Sequence, residues 1–394
     1  MRAFKQFAPT EIIFGKETET QVGSAVEHWG GTRVLIVYGG GSVVRSGLLD
    51  RVKKSLSEKE IYFEELGGVQ PNPRLALAKE GAEQAIAMKA DFILAVGGGS
   101  AIDTAKGIAI SIANPELDLW DDIWLQTKPV SKSTPCGVIL TLAAAGSETS
   151  DSAVLTNEAI GRKNGLSTDL NRPKFAIMNP ELTYTIPKHQ LTCGVVDIMM
   201  HTLDRYFSPV QDNELTDQIA ESVLRVVTQY GTVAFENQED YDAMSEIMWA
   251  GSISHNGITG LGGVGDFATH KLGHELSAKY DTYHGDSLSV VWASWARHVY
   301  KIDPARFARL ATNVWGIAEG TIEEKALAGI AATESYFKSI DMPIGFGDLE
   351  IGVRPDAELR EMANLATDNN TVKLAKLKEL DAEDFYQIYA AANK

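Results

Sequence analysis

Cysteine is nearly absent from this 394-residue chain: only Cys136 and Cys193 occur, in unrelated contexts and without a C-x-x-C spacing. That excludes a disulfide scaffold, and both thiols are expected to be reduced. Long apolar runs are missing as well. No stretch approaches the ~18 residues that a membrane span requires, and the opening text Met-Arg-Ala-Phe-Lys-Gln-Phe is broken by charge. A soluble, cytoplasmic protein is the expectation. Positive charge is also scarce, with 36 Lys and Arg against 53 Asp and Glu and a formal net charge of -17. Phosphate backbones and anionic lipids are held by clustered Lys and Arg, so neither nucleic acid nor a membrane is an expected partner.

What is present is core-forming material. Hydrophobic residues make up 44% and charged residues 23% of the chain, a balance that folds rather than stays disordered. The length implies about two domains. In the first half, β-rich apolar runs at Arg33–Tyr38, Asp91–Val96 and Gly137–Leu142 alternate with helix-period segments at Val43–Leu56, Leu75–Met88 and Ile102–Ala113. That alternation predicts crossover units on a parallel sheet. Between Asp151 and Met178 a Gly161 turn and an Asn164-Gly165 pair predict a hairpin. From about Pro187 the strand signals stop and helical periods run through Leu191–Tyr206, Glu214–Tyr230, Tyr241–Gly257, Phe267–Lys279 and Leu288–Tyr300. The expected architecture is therefore an α/β domain over residues 1–184 and an all-α domain over 185–394.

Two glycine clusters follow predicted strands, Gly39-Gly40-Gly41-Ser42 and Gly97-Gly98-Gly99-Ser100. Glycines let a pyrophosphate approach backbone N–H groups, and a following helix N-terminus favours its charge. Ser100 and Asp103 have the spacing of a capping box, which would fix the start of that helix. A lone Gly-Gly-Gly-Ser can be a tight turn that binds nothing, and the spacing is not that of the Rossmann fingerprint. Two such turns together point to a dinucleotide. NAD sites usually carry a carboxylate near the end of an early strand to hold the ribose. Here Gly40, Gly41 and Ser42 offer none, and Asp50 is the nearest downstream, so NADP(H) is preferred over NAD(H).

Histidine is unevenly placed. His270, His274 and His284 fall within fifteen residues, and His201 lies four after Asp197. An i, i+4 pair projects from one helix face, so Asp197 with His201 and His270 with His274 can close two helices on one divalent cation. Imidazoles with one carboxylate suit Zn²⁺ or Fe²⁺ rather than Mg²⁺ or Ca²⁺. His28, His189, His255 and His298 lack such company and read as structural. Cys193, one turn before Asp197, reads as a small buried residue rather than a thiolate ligand.

These residues resemble the iron-containing, or group III, alcohol dehydrogenases, from Phe14-Gly15 to at least His298. The matching text is Pro71-Asn-Pro73, Gly97 to Lys106, Gly146-Ser-Glu148, Asn179 to Thr183, Asp197-x3-His201, His270-x3-His274 and His284-Gly285. Within that family the likeness is greatest to NADP(H)-dependent butanol dehydrogenases and broad aldehyde reductases. The resemblance implies a dehydroquinate synthase-like architecture and a homodimer. It implies that Asp197, His201, His270 and His284 hold the metal and that His274 is the catalytic proton relay. It assigns cofactor contacts to Gly40, Gly41, Ser42, Asn72, Gly97, Gly98, Gly99, Ser100, Asp103, Thr141, Leu142, Ser147, Lys163 and Leu182. The chain departs from the family at Thr141-Leu-Ala-Ala-Ala-Gly146, where many members have a second threonine and another glycine.

The implied chemistry is hydride transfer between NADP(H) and a primary alcohol or aldehyde, with the metal polarising the substrate oxygen. One rival is a glycerol-type polyol dehydrogenase using NAD. Another is a dehydroquinate synthase-like lyase, whose anionic substrate needs several cations. Around 194–206 and 262–287 only Arg205, Lys271 and Lys279 are available. A non-catalytic protein with vestigial sites is the remaining alternative.

Overall fold

The computed structural model describes residues 2–210 and 212–394. Its contacts divide the chain into two compact units, Phe7–Ile186 and Pro187–Lys394, the latter joined by the first few residues.

The first unit is built on a six-stranded, wholly parallel sheet. Its strands are β1 (Glu11–Phe14), β2 (Arg33–Gly39), β3 (Tyr62–Val69), β4 (Phe92–Gly97), β5 (Cys136–Leu140) and β8 (Phe175–Met178), in the order β1-β8-β5-β4-β2-β3. β4, β5 and β8 are buried along their whole length, which is why Phe-Ile-Leu-Ala-Val reads as a continuous apolar run rather than an alternation. Helices α1 (Val22–His28), α2 (Ser42–Arg45), α3 (Leu48–Ser57), α4 (Leu75–Ala87) and α5 (Gly99–Ala113) complete the crossovers. Val26, Val52, Leu56, Phe92, Leu94, Ile139, Phe175 and Ile177 share one buried core with the sheet.

β6 (Ser152–Asn157) and β7 (Arg162–Ser167) form the expected antiparallel hairpin outside the main sheet. The reversal lies at Glu158–Gly161, where Gly161 has φ 60. Asn164 and Gly165 do not make the turn: they sit in β7 opposite Leu155 and Val154.

The helix expected over Val43–Leu56 is two helices, α2 and α3, because Gly47 takes a left-handed φ of 69 between them. The capping box expected at Ser100 is also overturned. Helix α5 begins earlier, at Gly99, its N-cap Gly98 has no side-chain cap, and Asp103 is turned instead to Ser147 Oγ at 2.7 Å and the Val154 N–H at 2.9 Å. A half-buried carboxylate with two fixed donors does not return to the helix terminus.

The second unit is helical: α6 (Lys188–Tyr206), α7 (Glu214–Glu236), α8 (Tyr241–His255), α9 (Ala268–Tyr280), α10 (His284–Val299), α11 (Pro304–Asn313), α12 (Ile322–Ser339), α13 (Asp356–Ala366) and α14 (Ala382–Ala392). α10 is its centre, buried through Trp292, Trp295 and Val299 and packed on α6, α9, α12 and α14. A buried fork from Arg306 on α11 to Asp217 on α7, with further bonds to the Tyr206 carbonyl, ties three helices together. Among the described residues no helix is long and apolar enough to cross a membrane, and both cysteines are buried and free.

Candidate functional site

In the first unit, the two glycine turns stand side by side. β2 and β4 are neighbours with Tyr38 opposite Val96, so Gly39–Ser42 and Gly97–Ser100 leave the same edge of the sheet together. The chain leaves β2 for β3 on one side and β4 for β5 on the other. That makes this edge a topological switch point, where parallel α/β sheets bind ligands beyond the carboxyl ends of their strands. A Cβ on Gly97 would meet Ala101 at 2.7 Å and one on Gly98 would meet Leu142 at 2.9 Å, whereas Gly99 and Gly40 face open space. The backbone is thus laid bare at the amino end of α5, a 15-residue helix, as an anionic group requires.

The other expected cofactor residues group around this edge. Thr141 donates its N–H to the Gly97 carbonyl at 3.1 Å, which keeps Thr141 and Leu142 beside the turn. Lys163 Nζ reaches Asn72 Oδ1 at 2.8 Å. Asp103 and Ser147 bond each other, and both belong to a buried network around Lys106, whose Nζ donates to the carbonyls of Ser147 (2.7 Å) and Ser152 (2.8 Å). The geometry gives Asp103, Ser147 and Lys106 an internal supporting duty. Leu182 packs against the sheet core with Ile13 and Tyr38.

In the second unit, Asp197 and His201 on α6 meet His270 on α9 and His284 at the first residue of α10. The Asp197 Oδ1 atom lies 3.4 Å from His201 Nε2, 3.7 Å from His270 Nε2 and 3.6 Å from His284 Nε2. His201 and His270 approach Nε2 to Nε2 at 3.3 Å. Four ligands at bond lengths near 2.0–2.2 Å around a first-row ion stand about 3.3–3.6 Å from one another; Asp197, His201 and His270 gather close to that spacing and His284 approaches Asp197, so the donor set fits such an ion in chemistry. The side chains of Asp197, His201 and His270 are under 10% exposed while His284 is 27% exposed, leaving the group open on one side. His274, half-buried, stands with its ring 5.6 Å from that of His284 and 6.3 Å from that of His270.

Electrostatics support the same reading. Burial opposes the His270 imidazolium, but the Asp197 and Asp204 carboxylates outweigh it and raise the pKa to about 9. His201 is driven well below the usual imidazole range by burial and by the neighbouring His255 and His270. The carboxylates thus favour positive charge at this cluster, which a divalent cation held by these side chains would supply in place of the His270 proton.

Three residues of this site escaped sequence reasoning. Asp204, fully buried on α6, meets His270 Nδ1 at 2.5 Å and thereby aims Nε2 at Asp197. Its signal was available, since Asp197, His201 and Asp204 recur at i, i+4, i+7 on one helix face. His255 was read as structural and without company, yet it ends α8 with its ring 3.9 Å from that of His201. Only the packing of α8 on α6 brings it there. Phe267, left-handed at φ 57 just before α9, sets its ring 6.5 Å from that of His201 and 5.6 Å from that of His270.

Comparison with known proteins agrees with both halves. Residues 9–180 match the family model described as iron-containing alcohol dehydrogenase, and residues 192–393 match its C-terminal counterpart. The chain is 39% identical to NADH-dependent butanol dehydrogenase A of Clostridium acetobutylicum, covering 99% of each. It is 35% identical to the NADPH-dependent aldehyde reductase YqhD of Escherichia coli, covering 88% of this chain and 89% of that protein. The crystal structure of NADH-dependent butanol dehydrogenase A from Thermotoga maritima superposes with a TM-score of 0.95 at 33% identity, covering 100% of this chain and 99% of that one. The chain belongs to the iron-containing alcohol dehydrogenase family.

Proposed function

We propose that this protein is a metal-dependent alcohol dehydrogenase that interconverts a primary alcohol and its aldehyde, butanol and butyraldehyde in type, with NADP(H). The observation that carries the reading is the convergence of three imidazole Nε2 atoms on one oxygen of Asp197. The names of the relatives support the substrate class, and they are divided between NADH and NADPH. Residues 1–184 would serve the cofactor and 185–394 the metal and the substrate, in a cytoplasmic homodimer.

When bound, an Fe²⁺ or Zn²⁺ ion supplies Lewis-acid polarisation of the substrate oxygen, and the nicotinamide supplies or accepts the hydride. Asp197, His201, His270 and His284 would hold the cation, Asp204 orients His270, and the burial of Asp197, His201 and His270 limits the access of water to the group. His274 stands on the same helix as His270, half-buried, where an imidazole can pass the substrate hydroxyl proton to solvent. The backbone turns at Gly40, Gly41 and Ser42 and at Gly97 to Ser100 hold the cofactor phosphates, with Asn72, Asp103, Thr141, Leu142, Ser147, Lys163 and Leu182 lining or supporting that edge. Arg45, near enough to Gly41 for Nη1 to meet a Cβ there at 3.3 Å, adds positive charge where a 2′-phosphate would lie.

The test is an aldehyde panel with NADPH and NADH on protein reconstituted separately with Fe²⁺ and Zn²⁺. Reduction of short straight-chain aldehydes, with higher kcat/KM for NADPH, is expected; absence of hydride transfer from metal-replete protein would sink the reading. Cofactor choice is probed at Gly40, where a side chain has room, rather than at Gly41, whose φ of 106 strains any substitution. Gly40→Asp sets like charges a few ångströms apart, a repulsion of about 1–4 kcal/mol, and should lower the NADPH to NADH ratio roughly tenfold or more. An unmoved ratio removes the phosphate from this turn.

A further inference from the structure

A second mixed group of ligand-type side chains lies on the same two helices and has no part in the reaction above. His189 and Cys193 are one turn apart on α6, and Asp286 lies in the first turn of α10. Cys193 Sγ is 3.6 Å from His189 Nε2 and 3.6 Å from Asp286 Oδ1, and His189 Nε2 is 3.0 Å from Asp286 Oδ2. Among the described residues this trio and the group of Asp197, His201 and His270 are the two that gather metal-ligand atoms within 4.8 Å. From these distances and this donor set we infer that His189, Cys193 and Asp286 form a second, zinc-type cation site.

The spacing suits a single small cation: Sγ stands 3.6 Å from the imidazole nitrogen and 3.6 Å from one Asp286 oxygen, while that nitrogen stands 3.0 Å from the other oxygen, so a modest turn of the carboxylate gives all three donors to one ion. Bonds of about 2.3 Å to sulfur and 2.0–2.1 Å to nitrogen and oxygen put sulfur about 3.5–3.6 Å and the nitrogen and oxygen about 3.3 Å from each other. The donors are discriminating, since thiolate with imidazole selects Zn²⁺ or Co²⁺ over Mg²⁺ and Ca²⁺. The trio does not read as a nucleophilic relay, because the same His189 nitrogen faces both partners, whereas a relay needs one ring nitrogen for each. Gly285 makes the approach of the helices possible: a Cβ there would meet the Cys193 Cα at 2.5 Å and its carbonyl oxygen at 2.6 Å. Cys193 and Asp286 are buried, and the His189 side chain is 42% exposed, which leaves an entry path and a fourth position for water. Burial and the Asp286 charge hold the Cys193 thiol protonated in the absence of a cation. Metal binding therefore releases that proton to solvent and converts the weak S–H contact into a thiolate bond.

The full-length protein, stripped of metal, is titrated with Co²⁺ alone and, separately, equilibrated with Zn²⁺ for elemental analysis. The site predicts two equivalents per chain, one of them showing thiolate-to-cobalt charge-transfer absorption. Cys193→Ser should abolish that absorption and the second equivalent, and His189→Ala, at a partly exposed position, should weaken it tenfold or more. His270→Ala should retain the absorption while losing the other equivalent. A single equivalent in the wild type, or a thiolate band that survives Cys193→Ser, overturns the inference.

Discussion

At the residue scale, the ring nitrogen that faces a metal is set by what the other nitrogen meets. Asp204 fixes this for His270 from the opposite side of the ring. Replacing it by Asn keeps the volume and removes the charge, so metal affinity should fall about 10- to 100-fold while the fold persists. A chelator competition with matched circular dichroism checks both halves; unchanged affinity would strip Asp204 of its orienting role. His274 differs in kind, since the close approaches at the cluster belong to other side chains. His274→Ala should retain a full metal equivalent, lower kcat by roughly 10²- to 10⁴-fold as loss of a general acid does, and flatten the rate profile near neutral pH. Loss of the metal in that variant would move His274 among the ligands.

Lys106 governs the element scale. It projects from α5 with 1% exposure and holds three carbonyls and two hydroxyls of the segment Ser147–Ser152, where the chain passes from β5 into the hairpin. Asp103, one turn earlier on α5, joins through Ser147 and the Val154 N–H. Lys106→Met preserves length but leaves these acceptors and the half-buried Asp103 carboxyl uncompensated, so unfolding stability should drop by about 3–5 kcal/mol. Urea unfolding measures it, and the double variant Asp103→Asn with Lys106→Met should recover part of the loss, since the remaining charge is gone. The hairpin explains why this network escaped the sequence. Gly161 and alternating apolar residues predict two paired strands, but nothing local says that a lysine 46 residues before Ser152 will be its buried support. β3 escaped for the opposite reason: as an edge strand paired to β2 alone it tolerates Glu64 and Glu65, which mask its apolar alternation.

At the scale of the whole molecule, distant segments are joined by buried polar groups whose ionisation reaches the stability of the fold. Asp266 accepts from the backbone N–H groups of Lys376 and Leu377 at 2.6 Å each, anchoring the approach to α9 to a loop 110 residues away. Burial outweighs these bonds and raises its carboxyl pKa to about 6. A raised carboxyl pKa means that the folded state holds the proton more tightly than the unfolded chain. This contribution is full below about pH 4 and is lost as the pH climbs to about 6, a change of roughly 2–3 kcal/mol. The stability of the wild type relative to Asp266→Asn should therefore decline across that window, and urea unfolding at both limits tests it; a constant difference would refute the assignment. By itself the sequence determined the alternation of strand and helix, the two glycine turns and the spacing of Asp197, His201, His270 and His284. Each of these is written in periodicities of two or 3.6 residues, or in short runs that local backbone geometry must obey. Only the tertiary structure decided which faces meet. It placed His255 against His201, Asp204 behind His270, and Asp286 beside Cys193, because packing depends on helix pairing and on the absence of a side chain at Gly285, which no local period encodes.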